Sequence, residues 1–255
     1  GLTVRINVGS PIILSGLSRC RLFEGRRSTE VLLCGRVRSS GGNGSQTGMG
    51  TPTEPPMDSA LVENFERTWA HLAGPGAVWT GAERLAIAAE VRRARAGEDS
   101  GSGLPRPALE AARLLAADPA AARRSWVEGL VAGGLDLARY VELLGVVGRL
   151  VAVDTFHEAL GMPLSPLPGA LSGEPTGDLA DDTRRGKGWV PMVGGSSITQ
   201  ALSLVPVENE ELERFHGPMY LRFDEMSDPQ IVRDLTRTQM ELVAARTSAV
   251  NECFY

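Results

Sequence analysis

Cysteine is scarce in this chain. There are three in 255 residues, Cys20, Cys34 and Cys253, an odd number without close spacing. That excludes a disulfide framework and a structural zinc site. Aromatic residues are also few, at 5%, while Ala, Leu and Val dominate an apolar share of 42%. A β-sandwich needs more β-branched and aromatic side chains, so the balance favours helices packed through small residues. No apolar run approaches the length of a membrane span. The net charge of −5 speaks against a nucleic-acid surface. The expectation is a cytoplasmic protein without membrane or nucleic-acid partners and without metal or cofactor.

Charge is unevenly placed. Residues 1–48 carry seven Arg against two Glu, a net +5, and the remainder carries −10. This opening segment has no sustained apolar period, and its stretch Ile12 to Leu17 is too short for a signal sequence. It closes in "RSSGGNGSQTG", a linker composition. Residues 1–56 are therefore expected to form a disordered or non-native tail ahead of the folded chain.

From Asp58 the texture is helical. "DSALVENFERTWAHLAG" places Leu61, Phe65, Trp69 and Leu72 on one face, with Gly74-Pro75 as a stop. "TGAERLAIAAEVRRARAG" opens with Thr80 and Glu83 as a capping box and ends at Gly97. "ALEAARLLA" predicts a third helix, and "DPAAARRSWVEGLVAG" a fourth capped by Asp118 with Pro119 at its first position. The longest helix is expected between Asp136 and Gly161. It is apolar on most sides, hence central, with Gly145 and Gly148 admitting another helix closely. His157 on it reads as a satisfied core histidine, whereas His71 and His216, near helix ends, read as exposed.

Residues 163–188 are rich in Pro, Gly and Asp and lack period, which marks a linker between two units. A second helical run is expected from near Ser196 through "VENEELERFHGPMYL" to "DPQIVRDLTRTQMELVAARTSAV". Setting "WTGAERLAIAAEVRRARAG" above "LTRTQMELVAARTSAVNEC" aligns Thr80 with Thr236 and Ala88-Ala89 with Ala244-Ala245. "VEN" at Val62 and again at Val207 opens a helix in each half. The expectation is a tandem duplication, with copies at 57–162 and 189–255. The copies differ at two places: Leu85 aligns with Glu241, and Gly97 with Cys253.

The end of the second copy, "RTQMELVAARTSAVNECFY", carries Glu241 twelve residues before Cys253. It resembles the alkylhydroperoxidase D-like branch of the carboxymuconolactone decarboxylase family, where a Glu lies at that distance before the first Cys of a C-x-x-C pair and a His follows the second. The helix ending "VGRLVAVDTFHEALG" is similar to the one that follows the redox motif in such proteins, and the likeness spans most of residues 58–255. The resemblance implies an all-α helical bundle of two tandem units, the second incomplete. It implies a thiol-dependent hydroperoxide reductase with Cys253 and Glu241 as catalytic residues. Its partners would be a small-molecule hydroperoxide, a dithiol reductant or reductase protein, and further copies in a homo-oligomer.

The sequence departs from the family where the second Cys and the relay His would follow Tyr255. The expectation is therefore a gene that continues with Cys and His, and a 255-residue chain that is poorly active and leaves its last helices uncovered. Asn251 as N-cap would put Cys253 in the first turn of a helix, which favours the thiolate. Glu241 and Cys253 would lie about 18 Å apart on one straight helix, so the carboxylate would act only through an intermediary. Two other functions stay open on these residues: a decarboxylase-type lyase acting on a lactone acid, and a non-catalytic helical oligomerisation module.

Overall fold

The computed structural model describes residues 57–250. The segment 1–56, with Cys20 and Cys34, and the terminal Asn251 and Cys253 lie outside the described residues. Seven α-helices are described: α1 (Ser59–Ala73), α2 (Gly81–Ala96), α3 (Arg106–Ala117), α4 (Arg124–Ala132), α5 (Leu137–Ala159), α6 (Pro206–Met219) and α7 (Arg237–Val250). The described strands are a two-residue antiparallel pair, β1 (Thr183–Arg184) and β2 (Met192–Val193). The architecture is mostly helical, in line with the composition.

Helix ends follow local chemistry. Asp58 accepts from the Ala60 amide, and Asp136 from that of Arg139. At α2, the Glu83 amide donates to Thr80 Oγ1 while the Thr80 amide donates to the Glu83 carboxylate, closing the expected box. Gly97 ends α2 with φ +73°, a conformation that favours glycine. The fourth helix departs from expectation. Asp118 makes no side-chain cap, Pro119–Ala121 form one 3-10 turn, and α4 starts only at Arg124. Ala122 and Arg123 are extended, and the Arg123 guanidinium bonds the carbonyls of Ala120 and Ala122. That side chain takes carbonyls which a continuous helix would have used internally.

The core lies where α2, α3 and α5 pack together. Ile87, Ala88 and Val91 of α2 meet Ala108, Ala111 and Ala112 of α3 and the Val141–Val151 stretch of α5, which is buried except at Leu144 and Gly148. Small residues on α3 permit close helix approach. Val190, Met192, Leu202 and Val205 join the same cluster from the later part of the chain. A satellite cluster of Phe65, Ala152, Val153 and Phe215 joins α1, α5 and α6, with the Phe65 and Phe215 rings stacked at 6.5 Å.

The stretch 163–188 is irregular except for β1, and it is laid along the helices. The Leu171, Thr176 and Gly177 amides donate to the carbonyls of Ala73, Gly76 and Ala77. The indole of Trp69 donates to Pro166, and Arg92 to Ser165. The second helical run is more broken than its sequence suggested. A 3-10 turn at Ile198–Gln200 precedes α6, and residues 228–235 are non-helical ahead of α7.

Candidate functional site

The sequence singled out Glu241 and Cys253. Glu241 sits in the first half of α7, which begins with a second capping box. The Thr236 amide donates to Gln239 Oε1 at 2.9 Å, and the Gln239 amide donates back to Thr236 Oγ1. The Glu241 carboxylate accepts the Tyr220 hydroxyl at 2.7 Å and Arg237 Nε at 2.8 Å, both on Oε1. The ion pair with Arg237 one turn back is the usual setting for a helical Glu. The bond to Tyr220, at the end of α6, is what ties its orientation to another element. Burial, with the hydrogen bond and charge of Glu241, pushes the Tyr220 phenol up to about 12. Tyr220 therefore stays a donor at neutral pH. Arg237 also reaches the carbonyls of Met226 and Asp228, fastening α7 to the segment before it. Cys253 lies outside the described residues, so its distance from Glu241 is not part of this geometry.

Along α7, Met240 is buried, while Leu242 and Val243 are 71% and 58% exposed. In the alignment of the two halves Val243 matches Ile87, which is wholly buried beneath α3 and α5. Leu242 and Val243 are thus exposed apolar side chains on α7.

A second constellation escaped the sequence reading. His71 from α1, Arg84 from α2, Glu142 and Arg149 from α5 and Glu208 from α6 meet in the interior. Glu142, Glu208 and Arg84 have fully inaccessible side chains, Arg149 is 4% exposed and His71 14%. Arg84 Nη1 donates to Glu142 at 2.8 Å and to Glu208 at 3.0 Å. Glu208 also pairs with Arg149 and accepts from His71 Nε2 at 2.8 Å. The second oxygen of Glu142 accepts the Val78 amide at 2.8 Å.

Glycine makes the room. A Cβ on Gly76 would stand 1.8 Å from Glu142 Oε1, and one on Gly145 would stand 2.0 Å from Glu208 Oε2. Gly145 thus admits a neighbouring element, as expected. Gly148 does not, since a Cβ there would meet nothing within 4 Å. The Gly148 expectation is overturned because the space at that position is open.

The two carboxylates are tuned apart. Burial alone would raise Glu208, but Arg149 and Arg84, with His71, outweigh it and hold its carboxyl well below the usual range. For Glu142 burial wins. Arg84 offsets it only in part and the nearby Glu208 charge adds to it, so its pKa is raised. Glu208 is an acceptor only, so His71 carries its proton on Nε2 in this bond. One donor edge is unmatched: Arg84 Nε and Nη2 are buried without a hydrogen-bond partner.

The histidine expectations need correcting. His71 is drawn inward by Glu208, and His216 is largely buried with Nδ1 2.5 Å from the Leu221 carbonyl, its pKa lowered by burial. His157 is the core histidine expected, with Nδ1 2.8 Å from the Val153 carbonyl. A lone Glu or Arg in an amphipathic pattern gives no sign of convergence. The available signal was Glu142, Arg149 and Asp154 within an otherwise apolar helix.

Among the described residues no cluster of His, Cys, Asp and Glu has the arrangement to hold a metal, and no helix is long and apolar enough to cross a membrane. Comparison with family models, with curated proteins and with solved structures gives no match.

Proposed function

We propose that this chain is a thiol-dependent hydroperoxide reductase of the alkylhydroperoxidase D-like type, built from two tandem helical copies at 57–162 and 189–255 joined by 163–188. The observation that carries the reading is Glu241, oriented by Tyr220 and Arg237 on the helix that leads toward Cys253. Two features support duplication. Thr80/Glu83 and Thr236/Gln239 form matching boxes at aligned positions. The "VEN" helices α1 and α6 pack on each other, with Asn64 Nδ2 donating to the Phe215 carbonyl.

In this reading the catalytic thiols are a Cys pair of which this sequence holds the first, Cys253. The thiolate of the second attacks one peroxide oxygen, the O–O bond breaks, and the alcohol leaves with a proton. The sulfenic acid that forms is attacked by the thiolate of Cys253, releasing water and closing a disulfide. A dithiol reductant or reductase protein then restores the thiols. Glu241 serves as the proton acceptor of the relay. The chain is proposed to act in the cytoplasm as a homo-oligomer. The uncovered Leu242 and Val243 are compatible with oligomer contacts.

The test uses the chain extended after Tyr255 by Cys and, one turn later, His. Dithiol-dependent consumption of tert-butyl hydroperoxide is expected, and Cys253→Ser and Glu241→Gln should each depress it. Consumption that survives Cys253→Ser removes the reading.

A further inference from the structure

The Arg84 guanidinium uses one nitrogen, Nη1, for both Glu142 and Glu208, and leaves its Nε–Nη2 side unmatched in the interior. That side is the edge on which arginine receives two oxygens of a planar anion at once. A buried donor without an acceptor costs free energy, and a charged one costs more. We propose that Arg84 is the anchor of a site for a small monocarboxylate, held by its Nε–Nη2 edge.

The surroundings fit such a ligand. The turn after α1 closes the occupied side of the guanidinium, where Gly76 lies against Arg84 Nη1 and Glu142. It is tied down by the Thr176 and Gly177 amides on the carbonyls of Gly76 and Ala77. These are backbone bonds from an irregular segment, which part more readily than packed helices. His71 is the most exposed member of the cluster and marks the way in. Burial limits the anion to a single charge, since a dianion such as sulfate would bring a second uncompensated charge into a low-dielectric interior.

Charge balance sets the pH dependence. Around Arg84 stand Glu142 on α5, Glu208 on α6 and the Val78 amide; around Glu208 stand Arg149 on α5 and His71 on α1. A third carboxylate is best received when Glu142 takes up a proton, and Glu142 is the carboxyl that burial already inclines to do so. Uptake of one proton with the anion tightens binding by up to about tenfold per pH unit of acidification.

The experiment is a titration of the full chain, labelled with ¹⁵N-arginine, with formate, acetate and sulfate at about pH 5.5 and about pH 7.5, chosen to bracket uptake of one linked proton. Arg84 Nε–H is assigned by its loss in Arg84→Lys. The expected result is a saturable shift of that signal with formate or acetate, stronger at the lower pH and absent with sulfate. Glu142→Gln should bind more tightly at the higher pH and lose the pH dependence. No saturable shift, an equal shift of exposed arginines, or saturation by sulfate instead would overturn the proposal. If Arg84→Lys does not fold, the Glu142→Gln comparison decides alone: unchanged affinity and pH dependence overturn it.

Discussion

Replacing Glu208 by Gln removes one charge from a centre where three cationic or hydrogen-bonding side chains point at the same carboxylate. The amide keeps the shape but leaves Arg84 with Glu142 alone and Arg149 beside an uncharged partner, with all of these side chains at or near zero exposure. Breaking a buried ion pair by removing one partner costs about 3–5 kcal/mol. For a chain of this size that lowers the melting temperature by about 6–20 °C. Glu142→Gln should behave differently. Burial disfavours its charge, and a Gln oxygen still accepts the Val78 amide, so the cost at pH 7 should stay below about 1.5 kcal/mol.

The pH dependence separates the two further. Glu208 has a depressed folded pKa, so its contribution is present above the ordinary carboxylate range and is lost as pH falls through the depressed value. Glu142 has a raised folded pKa, so its contribution is full below the ordinary carboxylate value and declines as pH rises through the raised one. Glu208→Gln should therefore flatten the acid limb of the stability curve, and Glu142→Gln should flatten the slope above it. Urea unfolding of both variants across pH measures this. Equal costs for the two substitutions at pH 7, or an acid limb untouched by Glu208→Gln, would refute the assignment of Glu208 as the hub.

Three further outcomes follow from local geometry. Gly145→Ala should destabilise by about 1–3 kcal/mol, because its Cβ lands on the Glu208 carboxylate, as thermal unfolding will show. Gly148→Ala, in the same helix with open space at its Cβ, should stabilise by about 0.5–1 kcal/mol in the same assay. Tyr220→Phe removes the bond from α6 to Glu241, so amide exchange should speed up along α7 while α5 is unaffected.

The helical class, the capped starts of α1, α2 and α5, and the buried character of α5 were all legible in the sequence, because each rests on local periodicity or a cap. The break between Pro119 and Arg124 was not, since it depends on where the Arg123 side chain finds carbonyls. Glu241 was legible through spacing, but its bond to Tyr220 was not, because the two stand twenty-one positions apart, across irregular chain and helix. The Glu208 centre was hidden for the same reason. His71, Arg84, Glu142 and Glu208 are ordinary polar residues in their own helices and become one site only through packing.

The most direct test of the proposed chemistry is steady-state peroxide consumption by the chain extended with Cys and His, with a dithiol as reductant, beside its Glu241→Gln variant. The account predicts a loss of about 10²-fold or more in kcat/KM, the scale of a lost proton acceptor, with the fold intact by circular dichroism. Equal kcat/KM for the two chains would contradict it.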